Sequence, residues 1–167
     1  APSAIMVPMV NTGNEARNVV QALRFAPLGC RSYGGRRIGD LYGRDYYKER
    51  ELLVIAQIET AEAVENAGKI ISTEGIDCLF LGATDLKIDM GLPISHSEFE
   101  DKRLRAAMTH TANAARKAGK FAGCVTYQAE MFSAALKMGY RMCVAGVDVI
   151  FLRTLAAERL AEFRKRL

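Results

Sequence analysis

The chain has 167 residues, half of them hydrophobic and a quarter charged, with a net charge of +4. That length can bury a sizeable core within a single domain, 1–167. The mild basicity comes without basic runs interleaved with aromatics, which argues against a nucleic-acid partner. No apolar stretch approaches the ~20 residues of a membrane-spanning helix, so no membrane partner is expected.

Residues 4–10 (AIMVPMV) read as a strand. Thr12-x-x-Glu15 is a capping box, so a helix is expected over 12–25. A loop rich in Gly, Arg and Tyr follows over 29–43, then a short polar helix near 43–50. Residues 52–58 (LLVIAQI) read as the next strand and 60–73 as the next helix. Residues 77–82 (DCLFLG) form a strand, and 84–96, with Gly91 and Pro93, a long loop. Ser97-x-x-Glu100 is expected to cap a helix over 98–118 that Gly119 ends. A strand at 121–125, a helix at 127–138, a strand at 141–147 and a helix at 152–166 complete the chain.

The β-α unit therefore occurs five times. The strand cores are apolar on both faces, as a parallel sheet covered by helices requires. Such a sheet is either open and doubly wound or part of a (β/α)8 TIM barrel. No GxGxxG follows the first strand, which disfavours dinucleotide binding. A whole barrel needs about 250 residues, so five units read as five-eighths of one. The four cysteines, Cys30, Cys78, Cys124 and Cys143, form no CxxC. They read as free thiols of a reducing cytoplasm, and no secretory signal is visible. The abrupt start, APSAIMVPMV without an initiator Met, suggests a processed chain or a piece of a longer one.

Ligands of parallel α/β folds bind at the carboxyl ends of the strands. Those ends carry Asn11 and Thr12; Glu59, with Gln57 on the same face; Ala83, Thr84 and Asp85; Thr126; and Asp148. Glu59 and Asp85 end consecutive strands. Neighbouring strands lie roughly 4.8 Å apart, so the two carboxylates could reach one cation. Mg²⁺ suits one or two carboxylates, with water and substrate oxygens completing its shell. The plainer alternative makes Asp85 an N-cap or first-turn residue. Gly82 permits close backbone approach, and the N–H groups beyond it could hold an anion or simply form a turn. GCRSYGGRR (29–37) is either an anion clamp or an exposed loop. His96 and His110 read as structural or surface residues, and Asp148 as a possible cap of the last helix.

IMVPMVNTGNEARNVVQALRFAPLGCRSYGG, LLVIAQIETAEAVENAGKI, EGIDCLFLGATDL and VAGVD, taken together, resemble the metal-dependent class II pyruvate aldolases. These are the 4-hydroxy-2-oxoheptanedioate and 2-dehydro-3-deoxyglucarate aldolases, grouped with the citrate lyase β-subunit. The resemblance runs in order along essentially the whole chain. It implies a (β/α)8 barrel of which this chain holds the fourth to eighth units. Matched to the family's Q-[IV]-E, Glu59 is a metal ligand and Gln57 a substrate contact. Matched to G-P-A-D-L, Asp85 is the second ligand, and the backbone at Thr84 and Asp85 holds the pyruvate carboxylate. Ala83 and Thr84 stand where the family has Pro and Ala. Lys87 replaces a serine and is expected to place a charge near the mouth of the site.

The implied reaction is cleavage of a 4-hydroxy-2-oxo acid to pyruvate and an aldehyde through a metal-bound pyruvate enolate. The implied cofactor is Mg²⁺ (or Mn²⁺/Co²⁺), and the implied assembly a homo-oligomer, trimer or hexamer. The family's catalytic His, its acidic partner and its Arg belong to the first three units, upstream of Ala1. The isolated chain is therefore expected to be weak or inactive. The alternatives are a citrate-lyase-like acyl-CoA lyase using Arg31, Arg36 and Arg37, an oxaloacetate decarboxylase, and a non-catalytic half-barrel that needs a partner chain.

Overall fold

Five parallel strands line up in chain order. In the computed structural model, which describes residues 2–49, 52–97 and 99–166, they are β1 (Ala4–Val7), β2 (Leu53–Ile58), β3 (Cys78–Leu81), β4 (Phe121–Val125) and β5 (Met142–Val144). They form one parallel sheet ordered β1-β2-β3-β4-β5. The sequential order decides between the two candidate architectures. Right-handed crossovers taken always in one direction place every helix on the same face. A doubly wound sheet instead reverses direction at a switch point. The sheet is thus a curled parallel half-barrel.

Strand alternation sorts the side chains onto two unequal faces. Val54, Ala56, Ile58, Leu79, Leu81, Ala122 and Cys124 point to the helices and join the main core. That layer is built by α1 (Gly13–Leu23), α4 (Ala61–Glu65), α5 (Ala67–Ile71), α7 (Lys102–Lys117) and α8 (Ala129–Met138). On the other face Ile55, Cys78 and Phe80 form a small cluster with Ala4, Val125 and Val144. Gly123 makes room there: a Cβ on it would stand 2.6 Å from the Phe80 ring. Tyr140 is fully buried on the helix side, and its hydroxyl donates to Met108 O at 2.9 Å.

The capping box opens α1 as expected, with Thr12 accepting from Glu15 N–H and the Glu15 carboxylate accepting from Thr12 N–H. Other boundaries differ. β1 stops at Val7, because Met9 turns into the left-handed region at φ 56°. The expected helix at 60–73 divides at Asn66, whose side chain reaches away to donate to Asn11 O. The 29–43 loop contains a helix, α2 (Arg36–Tyr42), followed by α3 (Tyr46–Glu49). The loop expected over 84–96 begins instead with α6 (Ala83–Asp89), because Leu86 is buried in the main core and anchors that turn. Ser97 does not cap α7. Asp101 does, its carboxylate accepting from the N–H groups of Arg103 (2.8 Å) and Leu104 (3.2 Å). A charged acceptor at a helix N-terminus outbids a hydroxyl, and Ser97 Oγ serves a local turn to Phe99 N–H. The last helix, α9, spans Asp148–Arg164 and starts four residues earlier than the expected 152.

Candidate active site

Gln57 and Glu59 follow Ile55 at two-residue steps, so both project from the inner face at the carboxyl end of β2. Glu59 is buried, with 5% of its surface exposed. Its two carboxylate oxygens are held separately. Oε1 accepts from Gln57 Nε2 at 3.1 Å, and Oε2 accepts from the backbone N–H of Met9 at 2.9 Å. Gly82 stands against it on β3's extension: a Cβ there would meet Glu59 Oε1 at 2.5 Å. Only glycine lets the carboxylate occupy this position.

Burial pushes the Glu59 carboxyl above its usual range, the Met9 N–H pulls it back, and the charge of Asp85 pushes it up again. The charge of Asp85 is thus felt at Glu59, a repulsion that a shared cation would relieve. Asp85 is exposed in the first turn of α6, one residue after exposed Thr84. Its first-turn position and its place beside Glu59 hold together: both follow from α6 starting directly at the end of β3. The first turn of that helix leaves its N–H groups without intrahelical partners. Leu86 N–H, bonded to Gly82 O at 3.1 Å, is the first to close.

The described residues contain no group of three or more His, Cys, Asp or Glu placed to hold a metal. Two carboxylates suit a hard divalent ion that keeps positions for water and substrate. They do not suit a closed structural zinc site, which takes four protein ligands.

The profile of the HpcH/HpaI aldolase/citrate lyase family matches residues 1–154. The chain belongs to this family. It is 35% identical over 163 residues to a hydroxypyruvate/pyruvate aldolase of Rhizorhabdus wittichii, covering 96% of this chain and 64% of that protein. A 2-keto-3-deoxy-L-rhamnonate aldolase of Salmonella typhimurium is 32% identical over 165 residues, covering 96% and 61%. The crystal structure of a family protein from Burkholderia cenocepacia superposes with a TM-score of 0.84 at 29% identity, over 97% of this chain and 65% of that one. The chain thus spans somewhat under two thirds of the length of these relatives.

Among the described residues, the hydrogen bonds to Glu59 in this HpcH/HpaI chain come from Gln57 and Met9 and from no other strand-end residue. Thr126 is buried on the helix side of β4, and its hydroxyl has no hydrogen-bond partner among the described residues. Asp148 occupies the first turn of α9, where its Oδ1 accepts from Val149 N–H at 2.8 Å. His96 is tied to Asp101 at 3.2 Å, and His110 is exposed on α7. Lys87 is buried, with Nζ donating to Ile94 O at 3.2 Å, because α6 turns that side chain inward. Arg31 stacks over the Phe25 ring, 4.8 Å from its centre, and lines a groove of about 650 Å³ beside Leu52 and Asp77. Those residues precede β2 and β3, so the groove lies at the opposite end of the strands from Glu59. Arg36 is paired with Asp40 at 3.3 Å.

Cys30 is exposed and Cys143 half-buried, while Cys78 and Cys124 are buried. No disulfide joins them among the described residues. Burial, with the charge of Asp77, pushes the Cys78 thiol up to about 12, so it is not a nucleophile.

What the sequence did not reveal is how β1 and β2 are tied together. Val10 N–H donates to Gln57 O at 3.3 Å, Thr60 Oγ1 to Asn11 Oδ1 at 2.6 Å, and Asn66 Nδ2 to Asn11 O at 3.0 Å. Asn11 stood out only as a strand-end residue. Its partners come from 49 and 55 positions away, beyond any local pattern.

Proposed function

We propose that the protein carrying this chain is a divalent-metal-dependent aldolase that cleaves 4-hydroxy-2-oxo acids to pyruvate and an aldehyde. The observation that carries this reading is the buried Glu59, held at both oxygens and faced by Asp85 at the carboxyl ends of adjacent strands. Family membership and the aldolases among its relatives support the same reading. Glu59 and Asp85 would hold Mg²⁺ (or Mn²⁺/Co²⁺). Bound there, the ion supplies Lewis acidity toward the carboxylate and keto oxygens of a 2-oxo acid.

The chain's own residues supply position. Glu59 keeps its direction through Gln57 and Met9. Gln57 presents its amide beside the pair, where it would orient the bound acid. The N–H groups at Thr84 and Asp85, in the open first turn of α6, would hold the acid's carboxylate. The Phe80 and Ile55 surface next to Gln57 keeps that side apolar. In the cleavage itself the C3–C4 bond breaks as the 4-hydroxyl loses its proton, and the electron pair passes to the pyruvate enolate. The base belongs, on the family resemblance, to the units upstream of Ala1, so the isolated chain is expected to turn over poorly. The exposed apolar residues of α9, Phe151, Leu155 and Phe163 among them, are surface that an assembled trimer or hexamer would cover.

The test is pyruvate release from a 4-hydroxy-2-oxo acid by the whole protein, with and without EDTA. Glu59→Gln and Asp85→Asn should each lower kcat/KM at least about 100-fold, equivalent to ~2.7 kcal/mol. Turnover that survives both substitutions would sink the assignment. The acyl-CoA alternative loses support, because Arg31 lines a groove at the far end of the strands.

A further inference from the structure

Met9 is the one residue other than glycine among the described residues with a positive φ, at 56°. A left-handed conformation costs an L-residue with a Cβ of order 1–2 kcal/mol and persists only where the surroundings enforce it. Packing of the Met9 side chain does not enforce it, since half of that side chain's residue surface is exposed. The backbone does. Val10 N–H is bonded to Gln57 O, and Asn11 is gripped from both Thr60 and Asn66. Between the end of β1 at Val7 and these anchors the chain turns so that the Met9 N–H meets Glu59 Oε2 at 2.9 Å.

Gln57 and Gly82 constrain the other carboxylate oxygen, Oε1, from the side. Without the Met9 bond the carboxyl group could still rotate about its last torsion, which is soft for a Glu side chain.

We propose that Met9 is a positioning residue of this site and acts through its main chain. Its strained turn aims one N–H at Glu59 Oε2 and thereby fixes how the carboxylate faces the cation. The side chain itself contributes nothing to the role. The inference rests on the reading of Glu59 and Asp85 as a divalent-metal site, and its test separates the two.

The experiment is a Mn²⁺ titration of the whole protein, with free Mn²⁺ read by electron paramagnetic resonance and folding checked by circular dichroism. Met9→Gly keeps the N–H and relieves the strain, so its Kd should stay within about twofold of wild type. Met9→Val keeps the N–H but carries a β-branched side chain that resists positive φ. It should weaken Mn²⁺ binding by about tenfold, the loss typical when a ligand's supporting hydrogen bond is removed. Should Met9→Val not fold, replacing Met9 by its α-hydroxy analogue through semisynthesis exchanges the N–H for an ester oxygen and keeps the side chain, and at least the same loss is expected.

Binding that falls as far in Met9→Gly as in Met9→Val assigns the role to the side chain and overturns the proposal. So does wild-type affinity in the α-hydroxy analogue or in folded Met9→Val, provided Glu59→Gln still abolishes binding. If Glu59→Gln binds Mn²⁺ as tightly as wild type, the metal reading itself fails and this inference falls with it.

Discussion

Helices α7 and α9 are nearly equal in length, 16 and 17 residues, and opposite in environment. On α7, Leu104, Ala107, Met108, Thr111, Ala112 and Ala115 are buried. They recur at steps of three, one and three, the stripe of a helix that buries one face. On α9 no described residue is buried. Val149, Ile150, Phe151 and Leu152 follow one another, so its apolar side chains point in every direction. The same contrast divides the sheet. β3 is buried along its whole length, whereas all three residues of β5 are partly or fully exposed. Apolar content alone does not bury an element. A stripe must coincide with a surface that needs covering, and this sheet offers that surface at its centre rather than at its last strand.

Five measurements would break or sharpen this contrast. The largest effect is expected at the centre: Ile70→Ala, fully buried on α5, should cost about 2–5 kcal/mol in denaturant unfolding. A cost below ~1 kcal/mol would mean that the centre is no better packed than the end. Tyr140→Phe removes a buried hydroxyl bonded to Met108 O and should cost about 1 kcal/mol, read as a fall in Tm.

The third measurement concerns the polar cost at the centre. Burial raises the Glu59 carboxyl above its usual range, so in the folded state ionisation is disfavoured. Protonated Glu59 contributes its stability below the unfolded pKa, and that contribution is lost as pH rises through the raised folded value. Without divalent ions, Glu59→Gln should therefore raise Tm at pH 7, and the gain should vanish below about pH 4, under the ordinary Glu range. A gain that persists at pH 3 would contradict this cause. The smallest effect is expected at the end of the chain. In the isolated chain, exposed Leu155→Ala on α9 should change stability by no more than about 0.5 kcal/mol. Amide exchange should also run faster on α9 than on α7.

The parts legible in the sequence were those set by short-range chemistry. The capping box at Thr12 and Glu15 announced α1, because both partners sit within one turn. The two-residue period of β2 put Gln57 and Glu59 on one face, and the register Gln57↔Phe80, Ile58↔Leu81 brings Gly82 opposite Glu59. The end of β3 was legible as well, but α6 was not. Its seven residues hold one deeply buried apolar anchor, Leu86, too few to show a helical period against Gly91 and Pro93 nearby. The Asp101 cap was hidden by Ser97-x-x-Glu100, a motif with the right spacing in a segment that forms a turn instead.

The sequence by itself determined the alternation of strands and helices, the placing of Glu59 and Asp85 at successive strand ends, and the family. Each depends on spacings of a few residues or on an ordered set of motifs. Only the tertiary structure decided that the strands lie side by side in chain order, that Lys87 is buried, and that Glu59 is gripped by the backbone of Met9. Those outcomes depend on which surfaces meet across 50 residues of intervening chain, in the case of Met9 and Glu59. No local pattern encodes such a meeting. Packing selects it, because a buried carboxylate must find donors wherever the fold brings them.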